Sequence, residues 1–163
     1  MKSIPLLVCL ASSLALADPI GGATGNYEND LGQVLGAAKG IAAMRNTCND
    51  KLPAFASQNN VAFQAWEDRN RATLQEVNMR WQHLLAEVSE GSKEREVEII
   101  ARLQHETRQA EVALRAHVDR LPQQRIESIC AALPSNLASP QRDLEESMKH
   151  QLRSIREHQS LVQ

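Results

Sequence analysis

Apolar residues recur along this chain at spacings of three and four, and no useful stretch alternates, so the pattern predicts helices and no sheet. From about Asp30 to about Lys51, Leu31, Val34, Leu35, Ala38, Ile41, Ala42, Arg45 and Cys48 fall on one side. Pro53 then breaks the run. A second helix starts near Ser57 to Asn60 and reaches about Ser89, with Phe63, Trp66, Thr73, Leu74, Val77, Trp81, Leu84, Leu85 and Val88 on its stripe. Glu90-Gly91-Ser92 reads as a stop and a restart, Gly ending one helix and Ser capping the next. The third helix runs to about Leu121 and sets Ile100, Leu103, Thr107, Ala110, Leu114, His117 and Leu121 in a heptad. Pro122 turns the chain into a short helix with Ile126, Ile129, Cys130 and Leu133 on one side. Ser139-Pro140 opens a last helix as cap and first-turn proline, with the stripe Leu144, Met148, Leu152, Ile155 and Val162. The expectation is an all-α fold, an antiparallel bundle of four to five helices.

The N-terminal end breaks this pattern. Lys2 precedes an apolar run from Ile4 to Leu16, and Ala15-Leu16-Ala17 is a small-x-small cleavage site before Asp18. Residues 1–17 therefore read as a signal peptide, the alternative being a buried first helix. The run is too short for a permanent membrane anchor. Cys9 lies inside it, after Leu7-Val8 rather than the small residues of a lipoprotein box. Residues 18–29 carry Gly, Pro and Asn without an apolar period and read as a flexible leader, leaving 30–163 as one helical domain. An exported chain places the protein in the periplasm, with secretion beyond the outer membrane as an extension.

Export changes the meaning of the cysteines. Beyond residue 17 there are two, Cys48 and Cys130, each on an apolar helix face. In an oxidising compartment two thiols in a small domain usually pair, and the bridge closes a loop of roughly eighty residues, worth on the order of 4 kcal/mol. Two buried free thiols are the alternative. Gly32, Gly36 and Gly40 stand four apart on the first helix and form a bare ridge, each costing about 1 kcal/mol against Ala. The ridge either packs closely inside the monomer, marks a frayed helix, or meets a partner or membrane.

Charge and composition exclude more than they select. The chain has 18 Lys and Arg against 20 Asp and Glu, and aromatics are 3%. Neither a basic field nor an aromatic stacking platform is present, so no nucleic-acid partner is expected. Six basic and six acidic residues flank the heptad of the third helix, with Glu98 to Arg102 and Glu111 to Arg115 at the favourable i,i+4 spacing. There is no nucleophile elbow, phosphate-binding loop, HExxH or CxxCH. Glu146 and His150 are i,i+4 and could share a metal, but the repeated Glu-x-x-His of metal-holding bundles is absent. No cofactor or metal is expected, and no catalysis. His117, at a heptad position, reads as a boundary histidine.

Cys48-x-x-x-x-Pro53, then Trp66-x-x-Arg69-Asn70, then a late Cys130 before a Leu-rich end, resembles a loose group of small secreted all-helical proteins of Gram-negative bacteria. The resemblance covers residues 40 to about 145. It implies export and the Cys48–Cys130 bridge, implies no activity, and makes Trp66 and Arg69 packing and capping positions. In size and helicity the chain is also similar to envelope chaperones, without the repeated Leu-Thr-x-x-Gln of one such group or the basic charge of another.

A compact stapled bundle with a mixed-charge surface and no chemistry motif points to a protein that binds a protein. The expectation is an inhibitor or immunity-type partner of an envelope-active toxin or enzyme, the partner's identity being open. The alternative is a holding chaperone using the glycine-ridged helix. The candidate contact surface is the polar side of the second and third helices, Glu67 to Arg80 and Arg95 to Arg115, with Glu67, Arg69, Arg80, Arg102, Arg108 and Arg115 as its leading residues.

Overall fold

The computed structural model describes residues 22–159. The expected signal peptide, the first part of the leader and Val162 lie outside the described residues. Within them every regular element is helical. Helix α1 spans Tyr27–Lys51 and starts inside the expected leader. The Asn26 side chain accepts from the backbone N–H of Asn29 and caps it. Leu52 and the 3-10 turn Pro53–Phe55 follow, as a proline without an N–H demands. Helices α2 (Ala56–Arg69) and α3 (Arg71–Val88) come next. Ser89–Ser92 turns the chain, with Glu90 and Gly91 both at positive φ, 54° and 74°. Ser92 caps α4 (Lys93–Asp119) through Arg95, as its sequence position predicts. Helix α5 (Gln123–Ala138) follows Pro122 and carries Pro134 inside it. A 3-10 turn, Pro140–Arg142, leads to α6 (Leu144–Ser147) and α7 (Lys149–Gln159).

The described residues thus hold seven α-helices where four to five were expected. One expected helix is divided at Asn70, and the last is divided at Asp143 and Met148. The breaks at Asn70 and Asp143 meet in one clamp. The Asn70 side chain turns back to the Trp66 carbonyl (2.8 Å) and accepts from the backbone N–H of Leu144 (2.6 Å). Asp143 is extended (φ −70°, ψ 140°) and gives its carboxylate to Arg69 and Asn70. The Trp66 indole donates to the Arg142 carbonyl at 2.8 Å. Ser139-Pro140 therefore opens a turn that delivers Asp143 to this clamp, rather than a helix.

The core gathers Leu31 and Val34 of α1, Phe63 and Trp66 of α2, Val77 and Leu84 of α3, Ile126, Leu133 and Leu137 of α5, Leu144 of α6, Leu152 and Ile155 of α7, and Met148 between those two. Helix α1 packs on α7, α2, α3, α5 and α4. It runs antiparallel to α7: buried Asp30 accepts from Ser154 (2.6 Å), and Gln33 accepts from Gln151 (2.9 Å). Cys48 and Cys130, both 1% exposed, form a disulfide that joins α1 to α5 across 82 residues. None of the helices among the described residues is long and apolar enough to cross a membrane.

Candidate docking face

The six charged residues expected at an interface divide once the chain is folded. Arg69 donates to the Leu137 carbonyl at the end of α5, to Asp143 and to the Ala65 carbonyl. Arg80 donates twice to Glu76 and once to the Ile155 carbonyl, and its side chain is 11% exposed. Both therefore make ties within the fold, to Asp143 and the Leu137 carbonyl and to Glu76 and the Ile155 carbonyl. Glu67 is half-buried on α2. Arg115 pairs with Asp50 of α1, not with Glu111 as the helical spacing suggested. Arg102 and Arg108 are exposed and make no hydrogen bond or ion pair among the described residues. The expected Glu98–Arg102 pair is not formed.

The two remaining arginines lie on the element that stands apart from the others. Helix α4 has 27 residues, and one of them, Val118, is buried. Its inward side carries Ile99, Ile100, Leu103, Ala110 and Leu114, all half-buried. The heptad slips at its end: His117 is exposed and Val118 takes the buried place. Helices in proteins hold mainly by packing an amphipathic face, and α4 is instead fastened at its two ends. The Ser89–Ser92 turn holds one end. The Arg115–Asp50 and Lys51–Asp119 ion pairs hold the other to the end of α1. Between them Val97 and Val112 stand 65% and 62% exposed. A Glu106 carboxylate oxygen is shut from solvent without a hydrogen-bond partner among the described residues.

The glycine ridge of α1 is open. A Cβ built on Gly32, Gly36 or Gly40 meets no atom of the described residues within 4 Å, the helix's own nearby backbone aside. Among the described residues the ridge is therefore not a place of close helix packing, and α1 is regular through all three positions.

The most extensive polar cluster is structural in its geometry. Arg156 of α7 binds Glu76 of α3 and Glu145 of α6, each at 2.7 Å, and Thr73 donates to Glu145 at 2.8 Å. The Arg156 guanidinium holds both carboxyls below their ordinary pKa values, and they in turn hold it above its own. A shallow cleft of about 470 Å³ beside it is lined by Glu145, Lys149, Arg153, Arg156 and Glu157, of mixed sign. Among the described residues no three His, Cys, Asp or Glu come together to hold a metal. Glu146 pairs with Lys149 rather than with His150.

Sequence reading missed the clamp of Asn70 and Asp143 and the buried Asp30–Ser154 bond. Each joins positions more than seventy residues apart, where no local spacing could signal it. No protein-family model, no curated protein and no solved structure matches this chain.

Proposed function

We propose that this is an exported, non-catalytic protein-binding protein of the periplasm, an inhibitor or immunity-type partner of an envelope-active toxin or enzyme. Four observations support the reading. The disulfide suits an oxidising compartment. The N-terminal sequence has the layout of a signal peptide. The described residues are helical throughout their regular elements, and the disulfide staples α1 to α5. The observation that carries it is α4: a long helix with one buried residue, a half-covered apolar side and two unpaired arginines.

Arg is among the residues enriched at protein interfaces. Arg102 and Arg108 present planar donor groups that the fold does not use among the described residues. The test is capture from the native periplasm by the tagged chain, run beside a variant with Arg102→Glu and Arg108→Glu. One stoichiometric partner that survives a salt wash and is lost by the variant is expected. A partner retained undiminished by the variant removes α4 from the interface, and no retained partner removes the reading.

The open glycine ridge favours a second reading, a holding chaperone for unfolded envelope proteins. Its mark is a broad, salt-sensitive set of clients and a slowed aggregation of an unrelated protein. An inhibitor shows neither.

A further inference from the structure

Helix α4 is held less firmly than the helices around it. Helices α1, α2, α3 and α5 bury five of 25, three of 14, four of 18 and four of 16 residues, whereas α4 buries one of 27, Val118 near its end. It packs on α1 and α3. The apolar residues it turns inward, Ile99, Ile100, Leu103, Ala110 and Leu114, are only half-buried, and such packing is what chiefly holds a helix in a protein. Among the described residues, no side chain from Val97 to Leu114 makes a hydrogen bond or ion pair with another element. The ties lie outside that stretch. Arg115–Asp50 and Lys51–Asp119 join one end to α1, and Arg95–Glu90 reaches no further than the turn before α4. All three are solvent-exposed pairs, a class that contributes little. Two features work against the docked position. An oxygen of the Glu106 carboxylate is enclosed without a donor among the described residues, and an enclosed, unbonded polar atom is costly. The turn that joins α3 to α4 holds Glu90 at φ 54°, a conformation that favours glycine.

We propose that α4 is a detachable strap, which leaves α1 and α3 as one unit while the other helices stay folded. The rest of the fold does not depend on α4 to stay together. Helix α3 is fixed in the core by Val77 and Leu84, and α5 by Ile126, Leu133 and Leu137. The disulfide joins α1 to α5 directly, so the chain is held on both sides of α4 when α4 is off. The strap also keeps its own form. It has no Gly or Pro, and its 27 residues are about twice the length at which an isolated helix becomes marginal. Detachment bares its five half-buried apolar residues, together with the sides of α1 and α3 that they cover, and returns the Glu106 oxygen to water. Opening is thereby linked to binding. A partner that takes docked α4 through Arg102 and Arg108 holds the strap closed, and one that takes its inner apolar side holds it open. The strap rests on the packing of α4 and not on either reading of function.

The experiment is native-state amide hydrogen exchange of the purified protein, read peptide by peptide at rising urea below the unfolding transition. Amides from Val97 to Leu114 exchange at least about a hundredfold faster, relative to their intrinsic rates, than those of Phe63 to Trp66 and Ile126 to Leu133. Their exchange also depends less on urea, because opening α4 exposes less surface than unfolding the whole chain. Glu106→Leu, which removes the enclosed oxygen, slows exchange across α4 at least about fivefold. Asp119→Asn, which frees Lys51, speeds it about twofold. Neither changes exchange in α2 or α5. Amides of α4 that exchange as slowly as those of α5, with the urea dependence of global unfolding, overturn the proposal. So does a Glu106→Leu protein in which α4 is unchanged, or in which all the helices shift by one common factor.

Discussion

Replacing Asn70 by alanine is expected to cost more than almost any other single polar change in this protein. The side chain is 2% exposed and serves both elements it joins. It donates to the Trp66 carbonyl at 2.8 Å and accepts from the Leu144 N–H at 2.6 Å, and a longer bond of 3.3 Å reaches Asp143. Leu144 is fully buried, so its N–H has no water to turn to. An orphaned buried donor costs about 1–3 kcal/mol, and each lost bond about 1 kcal/mol more. Alanine returns about 0.5 kcal/mol of helix propensity. The net loss is about 3 kcal/mol, measured as a fall in the urea midpoint at constant m-value. Asn70→Asp separates the parts, because it keeps an acceptor for Leu144 and loses the donor to Trp66. It also sets a second carboxylate beside Asp143. A loss under about 1 kcal/mol for Asn70→Ala would refute the clamp as the reason α6 sits where it does.

Three further outcomes follow from the same geometry. Gly36→Ala and Gly40→Ala each stabilise the protein by up to about 1 kcal/mol, since both are helical and a Cβ meets nothing; a loss in thermal melting would show the ridge to be covered. Cys48→Ser and Cys130→Ser destabilise by similar amounts, on the order of 4 kcal/mol, because each removes one crosslink; clearly unequal denaturation midpoints would assign the thiols separate packing roles. Glu76 and Glu145 are held below their ordinary pKa by Arg156, so their contribution is present above the unfolded value of about 4.3 and is lost as the pH falls through the lower folded values. Arg156→Gln should therefore lower stability at pH 7 by under about 1 kcal/mol, these groups being part-exposed, and change it least at strongly acidic pH; an equal loss at both would mean that Arg156 acts through packing.

The apolar stripes, the Ser92 cap, the stop at Pro53 and the Cys48–Cys130 bridge were legible because each is written in local spacing or in a pair without competitors. What the sequence hid lies in side chains that act at long range. Asn70 reads as an ordinary polar residue within a periodic run, yet it divides that run, because its amide answers a backbone N–H seventy-four residues on. Ser139-Pro140 has the form of a helix start, and the same clamp makes it a turn. Arg69 and Arg80 look like solvated charges on a surface helix. Their targets are the Leu137 and Ile155 carbonyls, which no periodicity reveals.

This redistribution of arginines narrows where recognition can happen. An arginine that holds a buried carbonyl is not free to meet a partner without exposing that carbonyl, a cost of about 1–3 kcal/mol. Arg69 and Arg80 are committed in this way, and Arg156 is committed to two carboxylates. Arg102 and Arg108 carry no such commitment, and they stand on the helix with the least cover. Association through α4 therefore leaves the ties of Arg69, Arg80 and Arg156 in place.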